Sequence, residues 1–164
     1  MTPRMRPEWY ELLKGVHYIG YHTERTMSYH YDEAQDFTLA TTNQSEVREI
    51  QDLIKRGGMK AVIWVIEGWL NNDGYTEYYL REVFHPRSIR RAIRDDTLGA
   101  KKKFEYIVEG HGQSFKDGVL LNNHNWFYDF LEENGNFGFG LDNLRSEKAK
   151  SSFLDIARPF FILK

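Results

Sequence analysis

The chain contains no cysteine, which removes disulfides, thiolate metal centres and cysteine nucleophiles from consideration. Proline is scarce, with four residues in 164, and no Pro-rich stretch divides the chain. No apolar run approaches the roughly 20 residues that a membrane-spanning helix needs. The opening "MTPRMRPEWYELLKG" is polar and lacks the apolar centre of a secretory signal. A cytoplasmic chain without membrane association is expected. Charge of one sign is missing as well: 22 Lys and Arg stand against 24 Asp and Glu, a net −2. A nucleic-acid partner would therefore need a local basic patch. There is no H-E-x-x-H, no G-x-S-x-G and no P-loop, and the glycines of "NGNFGFG" stand at the wrong offsets for dinucleotide binding. His17 and His22 lie five apart, on opposite faces of a strand, so they do not pair as metal ligands. Neither a metal nor any other cofactor is expected.

Aromatic residues are abundant instead, at 15% of the chain. Flat rings suit the pleated surfaces of small β-rich barrels, and they suit proteins that stack bases. The stretch "VIWVIEGW", Val62 to Trp69, carries two of the four tryptophans. It reads as a central strand buried on both faces. Strand parity groups Trp64 with Val62 and Ile66, as core. Trp69 falls with Ile63, Val65 and Glu67, after a glycine that can bend the chain and before the turn "NNDG".

Around that strand, "VHYIGYH" (Val16 to His22) predicts a first strand, and a polar loop leads to a short strand near Phe37 to Ala40. "TNQSEVREIQDLIKRGG" predicts a helix, capped by Asn43 or Ser45, with Val47, Ile50, Leu53 and Ile54 at helical spacing, stopped by Gly57 and Gly58. Tyr75 to Phe84 alternates as a hairpin partner of the central strand. Pro86 is expected to break it, and "RSIRRAIRDD" to form a short basic helix, because Ile89 and Ile93 are four apart. Lys101 to Gly110 predicts a further strand with Phe104, Tyr106 and Val108 on one face, and "EGHGQSF" reads as a turn after it. Helices are expected in "HNWFYDFLEENG" and "SEKAKSSFLDIARP", with Ala149, Phe153 and Ile156 on the apolar stripe of the second. "FFILK" is a terminal strand or a docked tail. The fold class is α+β: a small curled mixed or antiparallel β-barrel with three or four peripheral helices. One domain, 1–164, is expected, comprising an N-terminal arm (1–15) with a helical turn, a barrel core (16–108) and a helical C-terminal elaboration (109–164).

Local charge is more informative than the total. Between Arg87 and Lys103, seven basic residues (Arg87, Arg90, Arg91, Arg94, Lys101, Lys102 and Lys103) face two aspartates, a local +5 in a chain of net −2. That is the pattern of a phosphate-contacting edge on an otherwise acidic domain, and equally of a solvated basic face. Tyr21 with His22, Trp69, and Tyr78 or Tyr79 are the rings outside the obvious core, and as a set they are candidates for a pocket.

The succession "VHYIGYH", long polar loop, helix ending "KRGG", apolar strand "AVIWVIEG" and tyrosine-rich strand "YTEYYLREVFHPRSI" resembles the core of PUA-like domains. That superfamily includes the EVE, YTH and ASCH domains, and the resemblance spans Val16 to Val108. It implies a small barrel that binds DNA or RNA, in several members by flipping a modified base into an aromatic cage, in a prokaryotic or phage defence and restriction setting. Carried onto this sequence, it puts Tyr21, His22, Trp69 and Tyr78 near the pocket and the basic segment against phosphates. It makes the chain a non-catalytic binding module. Two alternatives stand beside it. One is a metal-dependent nuclease using His111 or His124. The other is a protein-interaction domain of inhibitor or immunity type, with the C-terminal third as partner surface.

Overall fold

The computed structural model describes residues 2–23, 37–93, 104–134 and 140–163. Six strands form one mixed sheet: β1 (Val16–Thr23), β2 (Thr38–Thr41), β3 (Ala61–Leu70), β4 (Thr76–Arg91), β5 (Tyr106–Leu120) and β6 (Leu141–Asn143), in the order β2-β5-β4-β3-β1-β6. Four helices accompany them among the described residues: α1 (Pro7–Lys14), α2 (Gln44–Arg56), α3 (Asn125–Asn134) and α4 (Glu147–Ala157). β1 and β3 run parallel, and every other neighbouring pair is antiparallel.

The sheet curls into a half-barrel. Leu39 of β2 and Leu141 of β6, from the two edge strands, join Tyr18, Ile63 and Phe84 in one inner core. The edges also approach each other: the Asn43 side-chain amide donates to the Leu141 carbonyl at 2.8 Å. A Cβ on Gly140 would stand 2.8 Å from the Ala40 carbonyl oxygen, so the approach needs glycine there. Helix α2 closes the inside of the curl through Ile50. It begins where Asn43 accepts the Glu46 N–H and ends at Gly57 and Gly58, both at positive φ. The outer face is covered by α1, α3 and α4 around Trp64, Leu80, Phe127, Phe130 and Phe153. With cores on both sides, Ala61 to Gly68 is buried without interruption, the continuous apolar pattern of a strand covered on two faces.

Three expectations are corrected. The N-terminal segment is not an arm: α1 runs two turns, with Trp9 and Leu12 buried in the outer core. No basic helix follows Pro86. β4 continues through it to Arg91, because the strand bulges there: Pro86 lies opposite Gly110 and Ser88 opposite Glu109, leaving Arg87 as the extra residue. A bulge tolerates proline and redirects the strand. "EGHGQSF" is not a turn but the middle of β5. Its glycines serve close approach instead. A Cβ on Gly110 would lie 2.0 Å from the His85 carbonyl oxygen, and one on Gly112 would lie 2.0 Å from that of Val83.

The sheet also extends beyond residue 108. β5 runs to Leu120, and β6 pairs with β1. The last residues form a docked tail. After a 3₁₀ turn at Arg158–Phe161, Ile162 bridges Met5. The predicted helices over 44–56, 125–134 and 147–157 are present, with Ala149 and Phe153 buried. His30, Arg94 and Lys101 to Lys103 lie outside the described residues.

Candidate functional sites along strand β4

The four residues expected to share a pocket stand together at one end of the sheet but on two faces of it. Tyr21 and His22 are consecutive on β1, so they point oppositely. Tyr21 packs with Tyr78 against the outer core, ring centroids 6.3 Å apart, and Tyr78 meets Phe127 edge-on at 5.2 Å. The Tyr21 and Tyr78 hydroxyls hydrogen-bond to each other, and burial, first among the causes, raises both phenols. Gly68 makes room for this: a Cβ there would fall 2.0 Å from the Tyr21 hydroxyl oxygen. His22 follows the inner face and lies opposite Glu67 in the β1–β3 register.

Glu67 is fully buried. Arg81 donates to one of its carboxylate oxygens from Nε at 3.0 Å and from Nη2 at 2.7 Å, and the guanidinium sits 5.4 Å from the Tyr79 ring centre. Arg81 is itself the extra residue of a bulge, since Val65 pairs with Glu82 but Ile66 with Leu80. Glu82 is also buried, and its carboxylate accepts the Phe37 N–H at 3.1 Å. Trp69 is half-buried beside this network, opposite Glu77. Asn71 donates to Glu77 Oε1 at 3.1 Å, and the Tyr79 hydroxyl donates to Oε2. These two bonds, that of Tyr79 first, hold the half-buried Glu77 carboxyl below its ordinary range. Trp64 is core as expected, at zero exposure. The end of the barrel is thus a sealed ionic and aromatic network with Trp69 at its margin, and Tyr21 and Tyr78 are committed to packing.

The basic residues stand at the other end of β4. Arg90 pairs with Glu109 at 3.2 Å, and Arg91 lies over the Tyr106 ring at 5.6 Å. Arg87, thrown outward by its bulge, is exposed and makes no hydrogen bond or ion pair among the described residues.

Beside Arg87, between α1 and strands β4 and β5, lies a polar cleft of about 200 Å³. It gathers Arg6, Glu8, Glu11, His85, His111 and Gln113 over a floor that includes Val83 and Phe161. His85 and His111 are directly opposed across the two strands and so share a face. Arg6, just before α1, ties the cleft's wall together. Its N–H donates to the Phe161 carbonyl at 2.9 Å, Nη2 donates to Gln113 Oε1 at 2.5 Å and to the Phe160 carbonyl, and the guanidinium lies 5.0 Å from the Phe161 ring centre. His85 Nδ1 donates to the Ala61 carbonyl at 3.1 Å, which leaves Nε2 as the acceptor of the neutral ring. Nε2 faces Glu11 Oε2 at 3.5 Å, while Lys60 holds the other Glu11 oxygen at 3.1 Å. Burial pulls the His85 imidazole below its ordinary value, outweighing the Ala61 bond and the Glu11 charge. Arg6 Nε and His85 Nε2 are buried without a hydrogen-bond partner. Unsatisfied buried polar atoms are rare in folded proteins, and two of them at one concavity mark it out.

Of the cleft's members, sequence reasoning had singled out Arg87 and His111. It missed Arg6, Glu11 and His85, which come from distant segments and meet only through strand register. His124, the other histidine of the nuclease alternative, sits just before α3 and is tilted against Trp126, centroids 5.9 Å apart. No group of three or more His, Asp or Glu side chains among the described residues is placed to hold a metal ion. No protein-family model matches the chain, and no curated protein matches it either.

Proposed function

We propose that this chain is a nucleic-acid-binding module that meets the sugar–phosphate backbone along the outer end of β4 and holds nucleic acid at the polar cleft beside it. The observation that carries this reading is Arg87. A bulge sets its exposed guanidinium, unpaired among the described residues, at the cleft rim, next to Arg90 and Arg91 on the same strand. Guanidinium groups suit phosphate because they offer several donors in a fixed planar fork. Resemblance to PUA-like domains adds support from the strand and helix order. The cleft, and not the Tyr21–Tyr78 pair, is the place to look for a base, since those rings are packed against the outer core.

Fluorescence anisotropy with labelled single- and double-stranded oligonucleotides across a salt series tests the reading. Affinity should fall linearly in log–log form, with about 0.7 to 0.9 of slope per phosphate contacted. Arg87→Ala should weaken binding and flatten that slope by about one contact. Salt-independent binding, or none at low salt, would overturn the proposal.

A further inference from the structure

Helix α2 carries an apolar stripe that the inner core does not fully absorb. Val47 and Ile50 are buried and Leu53 is half-buried, but Ile54, on the same side two turns after Val47, is 37% exposed. Past the glycines that stop the helix, Met59 is 52% exposed. These two side chains share one open groove of about 260 Å³, between the end of α2 and the Pro86 bulge of β4. Leu53, Ala61 and Pro86 line it too, and Gly57 and Gly58 give it a wall of bare backbone, since a Cβ on either would meet nothing within 4 Å. No Phe, Tyr or Trp ring among the described residues lines it, so a base would find no flat platform there. The volume lies below the roughly 300–1,000 Å³ of small-molecule sites and suits one or two apolar side chains.

Charge surrounds this apolar centre. Lys55 and Arg56 are exposed on the last turn of α2, and Lys60 and Arg87 belong to the groove itself. Against these cations stand two carboxylates: Glu11, which pairs with Lys60 at 3.1 Å, and the exposed Asp52 one turn earlier on α2. The balance is basic in a chain whose net charge is −2.

We infer that the groove docks an acidic protein segment, which buries a leucine- or methionine-sized side chain against Ile54 and Met59 while flanking carboxylates meet Lys55, Arg56 and Arg87. A phosphate backbone alone would answer the cations and leave the apolar centre in water. An apolar segment without acids would cover the centre and leave the cations unanswered. A segment with both features complements both. This inference goes beyond the nucleic-acid reading and does not depend on it, although Arg87 is a cation that the two surfaces share.

Fluorescence anisotropy at low salt with a labelled peptide, a single leucine between short runs of glutamate, tests the docking site. The same peptide with alanine for leucine should bind about tenfold more weakly, because fewer methylenes are buried. Ile54→Ala combined with Met59→Ala should erase that difference, weakening the leucine peptide about tenfold and the alanine peptide hardly at all. Both positions are exposed, so the melting temperature of this variant should stay close to the parent's. Lys55→Gln with Arg56→Gln should instead weaken both peptides alike and reduce their salt dependence. Equal binding of the two peptides, or no binding of the leucine peptide up to about 1 mM, overturns the docking site. So does an Ile54→Ala, Met59→Ala variant that weakens an oligothymidylate and not the leucine peptide, which would make the groove a nucleotide site. Oligonucleotide binding with no peptide binding overturns the docking site and leaves the nucleic-acid module standing. Leucine-dependent peptide binding, in a protein that binds no oligonucleotide, upholds the docking site and removes the module.

Discussion

Helix α1 lies across the sheet with two histidines against its second half, at Glu11 and Leu12. Beneath its last turn, His17 uses both ring nitrogens: Nε2 is 2.7 Å from the Leu12 carbonyl, and Nδ1 accepts the Trp64 indole N–H at 2.8 Å. The Trp64 ring stacks in turn on Phe153, at 5.5 Å. Next to it, under Glu11, His85 donates from Nδ1 to the Ala61 carbonyl, while its buried Nε2 stands 3.5 Å from the Glu11 carboxylate. Both imidazoles are pulled down by burial. In the first case every polar atom is matched within the protein, and the result is a joint. In the second the match is incomplete: the buried Nε2 faces a carboxylate and makes no hydrogen bond among the described residues. Burial alone does not separate a structural histidine from a working one; the accounting of its hydrogen bonds does.

The contrast can be broken most forcefully at the His17 joint. Trp64→Ala opens a cavity in the outer core and strips His17 of its donor, and should cost about 4 kcal/mol in a urea titration. If the cost is under about 1 kcal/mol, the joint is not a joint. Next in size is the effect of acid. His17 is held at about 4, below the ordinary 6.5. The unfolded chain therefore takes up a proton as pH drops below about 6.5, while the folded chain resists until about 4. The stabilising contribution is complete above 6.5 and fades through that window by about 3 kcal/mol, and His85 adds in the same direction. Unfolding midpoints at pH 7.5 and 4.5 measure this, and His17→Gln should flatten the difference.

A third test bears on the strands that carry His85 and His111. Gly112→Ala sets a methyl group against the Val83 carbonyl, which as backbone cannot step aside, and should destabilise by about 2 kcal/mol. The smallest effect is expected at His85. His85→Gln should shift stability by less than about 1 kcal/mol while changing ligand binding at the cleft. A loss comparable to that of the tryptophan variant would mean that both histidines are structural.

Much of the architecture was legible because local signals and tertiary demand agreed. Asn43 and Gly57 bracket α2 in the sequence as they do in space, and the unbroken apolar run of β3 implied cover on both faces. Legibility failed where pairing overruled local preference. Ile89 and Ile93 have helical spacing, yet Arg90 and Arg91 lie in a strand because β5 offers Ile107 and Tyr106 opposite them. The glycines around His111 resemble turn glycines, and only the closeness of the β4 backbone reveals their purpose. Rings near strand ends do not reveal in the sequence which face each one takes. Tyr21 and His22 adjoin in the chain, and the strand parts them. Trp69 does sit at the margin of a polar network, but the network is closed by its own charges, Glu67 with Arg81. The cleft could not be read, because Arg6, Glu11, His85 and His111 become neighbours only once α1 is laid over a registered sheet.

The docked tail has a kinetic consequence. The Leu163 N–H donates to the Arg4 carbonyl at 2.8 Å and the Arg6 N–H to that of Phe161, so the cleft's wall joins segments from opposite ends of the described chain. Closing so long a loop carries the greatest entropic delay, and such contacts form after local ones. The wall should therefore be the last part of the molecule to assemble and the first to fray, with the Arg6 and Leu163 amides exchanging with deuterium well before those of Ile63 or Val65. A bound ligand would slow that exchange, so the same clock that times folding would report occupancy of the cleft.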